Sequence, residues 1–188
     1  MNNIFIISAP SGAGKTTICN NILQKFFQLA YSISHTTRKP RKGETNGVEY
    51  FFISKEEFEQ GIKEKKWAEW ASVYDNYYGT SVDFLNGIIE SGKFVLLDID
   101  VQGAKQLIEK YPDCITIFIM PPSMEVLKER LTLRETDTKE IIEKRMKNAQ
   151  KEMQEKEMYK YIVINDDLQM AINEVSDIFD NAIKGVTL

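Results

Sequence analysis

The chain contains 188 residues, of which 43% are hydrophobic and 28% charged, and its formal net charge at pH 7 is −4. This length is enough for a single buried core, the negative charge argues against a nucleic-acid-binding surface, and 2 cysteines are too few for a disulfide framework. The sequence shows neither a secretory signal pattern nor an apolar run of the roughly 20 residues that span a bilayer, so we expect a cytoplasmic protein that does not bind membranes.

Directly after a first apolar strand, the stretch APSGAGKT covers residues 9–16. It matches the phosphate-binding pattern G-x-x-x-x-G-K-[ST] everywhere except at the first position, where Ala9 replaces glycine. The two glycines of the stretch allow backbone angles that turn successive N–H groups toward an anion, and the following helix adds its positive dipole end. Lys15 and Thr16 then predict contacts to the β- and γ-phosphates and to Mg²⁺. The stretch therefore predicts a nucleoside triphosphate site.

Beyond this loop, apolar periodicity and capping residues predict alternating helices and strands. Helices are predicted at 16–27, 55–64, 80–90, 101–110 and 171–183, a largely helical stretch at 125–160, strands at 94–97, 114–120 and 161–164, and shorter β-rich pieces at 48–53 and 67–74. The alternation favours an α/β fold with a parallel sheet and helices on both faces. Asp98 and Asp100 follow a continuous apolar strand, at the sheet edge where such folds bind ligands.

Residues 31–78 differ in texture from the rest of the chain, and we interpret them as an inserted subdomain. Within them, Arg38 and Arg41 flank a turn, and two arginine forks can hold a second phosphate. The carboxylate of Glu69 offers only hydrogen-bond acceptors. Such a group matches the adjacent N1–H and N2–H donors of guanine, whereas adenine has no N1–H. The segment therefore indicates a second, anionic substrate.

Several stretches, in order along the chain, resemble the guanylate kinase family, whose members transfer phosphate from ATP to GMP. They are SAPSGAGKTT (8–17), SHTTRKPRKGETNGVEYFF (34–52), EWASVYDNYYGTS (69–81), LDIDVQGA (97–104), RLTLRETD (130–137) with EKRM (143–146), and VIND (163–166). The resemblance implies an Mg²⁺-dependent kinase of purine nucleotide metabolism with a P-loop NTPase-type sheet. It implies a core at 1–33, 83–124 and 158–188, a small β-rich GMP-binding subdomain at 34–82 and a helical lid at 125–157.

Carried over by position, the resemblance implies roles for residues around two nucleotides. For ATP it implies a phosphate cradle and adenine contacts from Ala9, Pro10, Ser11, Gly12, Ala13, Gly14, Lys15, Thr16, Thr17, Asn165 and Asp166. For GMP it implies base reading by Ser34, Glu69 and Thr80, a phosphate clamp of Arg38, Arg41, Tyr50 and Tyr78, and Asp100 nearby. For Mg²⁺ it implies Thr16 and Asp98, and for phosphoryl transfer Lys15, Arg41, Arg134 and Arg145, with Arg130 a weaker candidate.

One departure from the family and several alternatives stay open at this point. Glu135 stands where the family has glycine after the first lid arginine, which puts the local lid turn in question. His35 has no implied catalytic role, and we expect it to support the backbone beside Ser34. The residues alone also allow another small-acceptor kinase on the same scaffold, or a catalytically silent scaffolding domain. Self-association, the use of dGMP and the division of roles between Asp98 and Asp100 are open as well.

Overall fold

The computed structural model describes residues 3–73, 75–133 and 138–185. In chain order, the strands are β1 (Ile4–Ser8), β2 (Leu29–Tyr31), β3 (His35–Thr36), β4 (Phe51–Phe52), β5 (Trp67–Val73), β6 (Asn76–Ser81), β7 (Phe94–Asp98), β8 (Ile115–Met120) and β9 (Tyr161–Ile164). The helices are α1 (Lys15–Lys25), α2 (Lys55–Lys63), α3 (Val82–Glu90), α4 (Val101–Lys110), α5 (Met124–Thr132), α6 (Lys139–Gln154) and α7 (Leu168–Ile183), with a 3₁₀ turn at Lys156–Met158. Within these ranges, no helix combines the length and the apolar character needed to cross a membrane.

The central sheet is parallel, with the strand order β2-β7-β1-β8-β9. Its strands are nearly continuous apolar runs, as expected for strands covered on both faces. Phe5 and Ile7 of β1 pack in one cluster with α1 and α7, whereas Ile4 and Ile6 pack in another with α3 and α4. This alternation is the period of two that a β-strand imposes on its side chains. It confirms the predicted α/β fold with helices on both faces.

A second, mixed sheet lies in the inserted segment, with the strand order β4-β3-β6-β5. In it, β3 pairs parallel with β4 and antiparallel with β6, which also pairs antiparallel with β5. Helix α2 begins at the predicted capping box of Ser54 and Glu57. Its Phe58 ring stacks on Trp67 and Tyr77, at centroid distances of 4.4 and 5.1 Å. The second sheet meets the central layer at its edge strand β5, which contacts α4.

Helices α5 and α6 form a pair beside the loop that joins β1 to α1. Leu127 and Leu131 of α5 pack with Ile142 and Ala149 of α6 in a small apolar cluster. A Cβ atom at Gly12 of the loop would lie 2.9 Å from Cδ2 of Leu131. The helix pair is therefore in direct contact with the phosphate-binding loop.

Several predicted boundaries are wrong where pairing between distant segments decides the conformation. The helix predicted at 80–90 begins only after Ser81, because Thr80 and Ser81 belong to β6 and the Ser81 hydroxyl caps the helix. The β-rich piece predicted at 48–53 contracts to β4, and the helical stretch at 125–160 divides into α5, α6 and the 3₁₀ turn. Strand β2 has no prediction, since its three residues are recognisable only by their pairing with β7.

Candidate active site

A cleft with a volume of about 440 Å³ lies where the carboxyl edge of the central sheet meets the second sheet and α6. Most of the predicted site residues line it, namely Ala9, Pro10, Ser11, Gly12, Gly14, Lys15, Thr16, Thr17, Ser34, Arg41, Tyr50, Glu69, Tyr78, Asp98, Asp100 and Arg145. They come from the loop after β1, from the second sheet, from the end of β7 and from α6. The structure thus brings residues of both predicted nucleotide sites into one cavity.

The loop between β1 and α1 turns through two glycines in the left-handed region, with φ of 100° at Gly12 and 95° at Gly14. Glycine adopts such angles without steric hindrance, and Gly14 directly precedes the first turn of α1. Among the described residues, positive φ at a residue other than glycine occurs at Lys65 and Asp75. Ala9 is therefore outside that region, and alanine replaces the first glycine of the motif without backbone strain.

A lysine at the start of α1 is held at the edge of the central sheet. The Lys15 ammonium forms an ion pair with Asp98, the last residue of β7, and donates a hydrogen bond of 3.2 Å to the carbonyl oxygen of Ile99. Burial opposes the positive charge, but the Asp98 carboxylate outweighs burial, so that the pKa of Lys15 lies above its ordinary value. The loop therefore presents a fixed cation to the cleft.

The second sheet contributes a buried carboxyl group to the cleft wall. Glu69 of β5 is only 3% exposed, and its Oε1 atom accepts a hydrogen bond of 2.6 Å from the Thr80 hydroxyl on the neighbouring strand. Burial raises the pKa of Glu69 to about 7; the hydrogen bond from Thr80 lowers it, and the nearby Asp100 carboxylate adds to the rise. Because a carboxylate offers about four acceptor positions, Glu69 keeps acceptor capacity for donors of a ligand.

The basic turn after β3 is organised by Glu44, which the sequence motifs did not single out. Its carboxylate accepts hydrogen bonds of 2.9 and 2.8 Å from the Arg38 guanidinium and one of 2.6 Å from the backbone N–H of Arg41. The bonds from Arg38, and then the bond from Arg41, hold the pKa of Glu44 at about 2. Arg38 also lies over the rings of Tyr50 and Phe52, 5.3 and 5.7 Å from their centroids. Arg38 is thus engaged by Glu44, whereas Arg41 lines the cleft.

Asn165 lies behind the phosphate-binding loop rather than in the cleft lining. It is 4% exposed, and its Nδ2 atom donates a hydrogen bond of 2.7 Å to the carbonyl oxygen of Ala13. A Cβ atom at Gly14 would overlap this Nδ2 atom, so the amide packs directly on the loop backbone. Asp166 is exposed and lies outside the cleft lining as well. The adenine contacts of both residues stay predictions.

Helix α6 presents three polar side chains to the cleft, Arg145, Asn148 and Glu152. Residues spaced by three, four and seven positions share one helix face. The Arg145 guanidinium donates a hydrogen bond of 3.4 Å to the Ser11 hydroxyl of the loop. Burial, and then the Asp100 carboxylate, raise the pKa of Glu152 to about 7. Asn148 and Glu152 were not predicted, and their helical spacing from Arg145 is the signal that finds them.

The remaining predicted residues lie beside the cleft or outside the described part of the chain. Ala13, Arg38 and Thr80 contact lining residues without lining the cavity themselves. Arg130 of α5 is partly exposed and stands apart from the cleft as the described residues form it. Arg134 and Glu135 lie outside the described residues. The role of the first lid arginine and the effect of Glu135 on the lid turn therefore stay predictions.

Nearly the full length of the chain is similar to known proteins. A sequence model of the family described as guanylate kinase matches residues 1–182. The guanylate kinase of Neisseria meningitidis serogroup A is 47% identical over 176 residues, which cover 94% of this chain and 86% of that protein. The guanylate kinase of Helicobacter pylori is 49% identical over 167 residues, which cover 89% and 81%. The crystal structure of guanylate kinase from Anaplasma phagocytophilum aligns with a TM-score of 0.79 and 34% identity, covering 95% of this chain and 85% of that one.

Proposed function

Because the chain belongs to the guanylate kinase family, we propose that its cleft transfers the γ-phosphate of ATP to GMP and releases ADP and GDP. The observation that carries this proposal is the shared cavity, which is lined both by the glycine-rich loop with Lys15 and by the buried Glu69 carboxyl group. The loop suits a triphosphate, and the carboxyl group suits a base with adjacent N–H donors. Both must face one cleft, because phosphoryl transfer requires the two substrates to meet in line.

The base of the acceptor nucleotide is read by the second sheet. Glu69 accepts the N1–H and N2–H donors of guanine, and Thr80 and Ser34 complete the set beside it. Adenine has no N1–H and would leave part of this acceptor capacity unmatched. A buried polar group left without a partner costs about 1–3 kcal/mol. The pocket therefore favours GMP over AMP.

The phosphate of GMP is held by the basic turn and two tyrosines. Arg41 lines the cleft, and the rings of Tyr50 and Tyr78 meet there with centroids 5.8 Å apart. Arg38 forms an ion pair with Glu44 beside these residues. The Arg38 guanidinium also binds the phosphate of GMP, since arginine forks match phosphate oxygens.

The phosphates of ATP are held by the loop of residues 9–17. Its backbone N–H groups and the N-terminus of α1 supply fixed partial positive charge, and Lys15 adds a full charge toward the β- and γ-phosphates. Asn165 supports the loop from behind through the Ala13 carbonyl. Together with Asp166 it also contributes the adenine-side contacts that the family resemblance implies.

Thr16 and Asp98 would hold Mg²⁺ beside the phosphates. Both line the cleft and carry side-chain oxygen atoms, the ligand type that Mg²⁺ prefers. This ion is commonly bound through one or two protein ligands together with water and substrate phosphates. The described residues contain no group of three or more His, Cys, Asp or Glu side chains able to cage a metal. When bound, Mg²⁺ would supply positive charge that offsets the negative charge of the phosphates.

Transfer itself needs positive charge and the exclusion of water rather than a general base, because the acceptor is already a phosphate anion. Lys15, Arg41, Arg134 and Arg145 supply that charge. We assign residues 125–157 to a lid and residues 34–82 to a GMP-binding subdomain, both closing on a core of residues 1–33, 83–124 and 158–188. Closure protects the phosphoryl group from hydrolysis.

Two competing functions are less well supported. A kinase for another small acceptor would not require a buried carboxyl group beside Thr80. A catalytically silent scaffolding domain would not require an intact loop with Gly12, Gly14, Lys15 and Thr16. We also propose a cytoplasmic location, on the family resemblance, and leave self-association as an open proposal.

An acceptor-specificity assay tests the function. ADP formation is coupled to a spectroscopic readout with ATP, Mg²⁺ and each of GMP, AMP, CMP and UMP in turn. We expect turnover with GMP and at least about a tenfold lower kcat/KM with each of the others. Absence of turnover with GMP would refute the proposal, and efficient turnover with AMP would refute the assigned role of Glu69.

A further inference from the structure

The pocket around Glu69 is closed on one side by α4, a helix of the central layer. We propose that α4 sets the guanine specificity of this pocket, because the missing side chain of Gly103 makes room for the Glu69 carboxylate and the amide of Gln106 holds the strand that carries it. Both are positioning residues, since each acts through Glu69. The inference rests on the proposed function, as it concerns which acceptor base is selected.

Gly103 provides space rather than backbone freedom. It is the third residue of α4, in the first turn of the helix, and among the described glycines it is not one of those with positive φ. Glycine is a poorer helix former than alanine, so the backbone conformation gives no reason for it. A Cβ atom at this position would overlap Oε2 of Glu69 and lie 3.0 Å from its Cδ. The carboxylate therefore occupies the volume that any other residue at 103 would fill.

Gln106 lies one helical turn beyond Gly103, on the same face of α4. Its Nε2 atom donates a hydrogen bond of 2.7 Å to the carbonyl oxygen of Trp70, and its Oε1 atom accepts one of 3.2 Å from the Trp70 N–H. Strand β5 is an edge strand of the second sheet, where such outward backbone groups have no neighbouring strand. The amide of Gln106 takes the place of that strand at the residue next to Glu69.

These contacts hold Glu69 between two layers of the fold. Oε1 faces Thr80 of its own sheet at 2.6 Å, and Oε2 packs on α4. Helix α4 in turn is capped by Asp100, whose Oδ1 atom accepts a hydrogen bond of 2.8 Å from the Gly103 N–H. The base-reading carboxylate is therefore positioned relative to the carboxyl edge of the central sheet, where the phosphate-binding loop lies, as well as within its own strand.

The substitution Gly103→Ala tests the role of the missing side chain, with Gly87→Ala as a matched control. Gly87 also lies inside a helix, α3, but a Cβ atom there meets nothing within 4 Å. Steady-state kinetics of the full chain are measured with GMP and AMP as acceptors. For Gly103→Ala we expect KM for GMP to rise about tenfold or more and the preference for GMP over AMP to fall by a similar factor, with KM for ATP changed less than about twofold. Gly87→Ala should match the wild type.

A compensating substitution separates displacement of the carboxylate from general damage. Aspartate at position 69 is shorter by one methylene group, so its carboxylate can retreat from a methyl group at position 103. In the Glu69→Asp, Gly103→Ala double variant, KM for GMP should be lower than the product of the two single effects predicts. An additive double variant would overturn the proposal, because displacement would then not be the mechanism.

Gln106→Met tests the positioning role of α4 if Gly103→Ala does not fold, as judged by circular dichroism. Methionine keeps the length of the side chain and removes both hydrogen bonds to Trp70. The expected result is a raised KM for GMP with an unchanged KM for ATP. Wild-type kinetics in the folded variants, or a loss of kcat with KM for GMP unchanged, would overturn the inference. A wild-type protein inactive toward GMP would instead refute the proposed function.

Discussion

Replacing Glu69 by glutamine should weaken GMP binding and stabilise the unliganded protein at the same time. Glutamine keeps the size of the side chain but replaces one acceptor oxygen with an NH₂ donor, so it cannot accept both guanine donors. Hydrogen bonds to charged groups contribute about 1.5–3 kcal/mol each. The Kd for GMP should therefore rise about 10- to 100-fold. ATP binding should be unchanged, because the phosphate-binding loop is not altered.

The gain in stability follows from the pKa of the buried carboxyl group. Glu69 titrates at about 7 in the folded protein, against an ordinary value of 4.5. At pH values between these two, the carboxyl group in the folded state thus keeps a proton that the unfolded chain has already lost. Stability from this group is fully present below the unfolded pKa and is lost as the pH rises through the folded one. At about 1.4 kcal/mol for each pH unit, the wild type should lose about 2 to 3 kcal/mol relative to Glu69→Gln between about pH 5 and pH 8.

Urea unfolding without nucleotide at these two pH values measures the free energies of unfolding, and calorimetric titration with GMP and with ATP measures the two affinities. Glu90→Gln, at an exposed glutamate that ends α3, is the matched control and should leave both quantities unchanged. A stability difference between Glu69→Gln and the wild type that stays constant with pH would refute the reasoning from burial. Equal losses of GMP and ATP affinity would refute the assignment of Glu69 to the acceptor base.

Two further substitutions address the two phosphate sites. Lys15→Ala should reduce kcat about a hundredfold or more while GMP binding measured by calorimetry is largely retained, since the lysine serves the donor phosphates; a normal rate would contradict the assigned role of the loop. Glu44→Gln should raise KM for GMP about three- to tenfold, because Arg38 is then held less firmly. The pKa of Glu44 is about 2, so its charge does not change between about pH 5 and pH 8. The ratio of the variant's KM for GMP to that of the wild type should therefore stay constant over this range. A ratio that changes strongly over this range would show that Glu44 acts in another way.

Much of the fold can be predicted from the sequence because its strongest signals are local. Helix α4 is predicted with its observed bounds, since Asp100 caps it and its apolar residues recur at helical spacing. Strand β9 is likewise predicted with its observed bounds, because an apolar run ends at a polar pair. Strand β6 has no such signal: Asn76–Ser81 is largely polar and pairs through contacts with β3 and β5. Its conformation depends on partners distant in the chain.

The candidate site divides in the same way. The phosphate-binding loop is recognisable from consecutive residues, because turning the backbone around an anion needs glycines at set positions. Arg38 and Glu44 are only six residues apart in the chain, yet their side chains meet only after the turn between them has formed. Glu152 becomes a site residue only when α6 lies across the cleft. Its spacing from Arg145 shows that the two side chains share a helix face, but not that this face covers the cleft.

By itself, the sequence determined the order of the main elements, the phosphate-binding loop and the chemical character of the acceptor groups, since these depend on residue type and on neighbours along the chain. Tertiary structure alone decided that Asn165 supports the loop from behind and that Glu69 is buried between Thr80 and Gly103. These features arise from desolvation and close packing between segments far apart in the chain. These interactions form only after folding has brought the segments together.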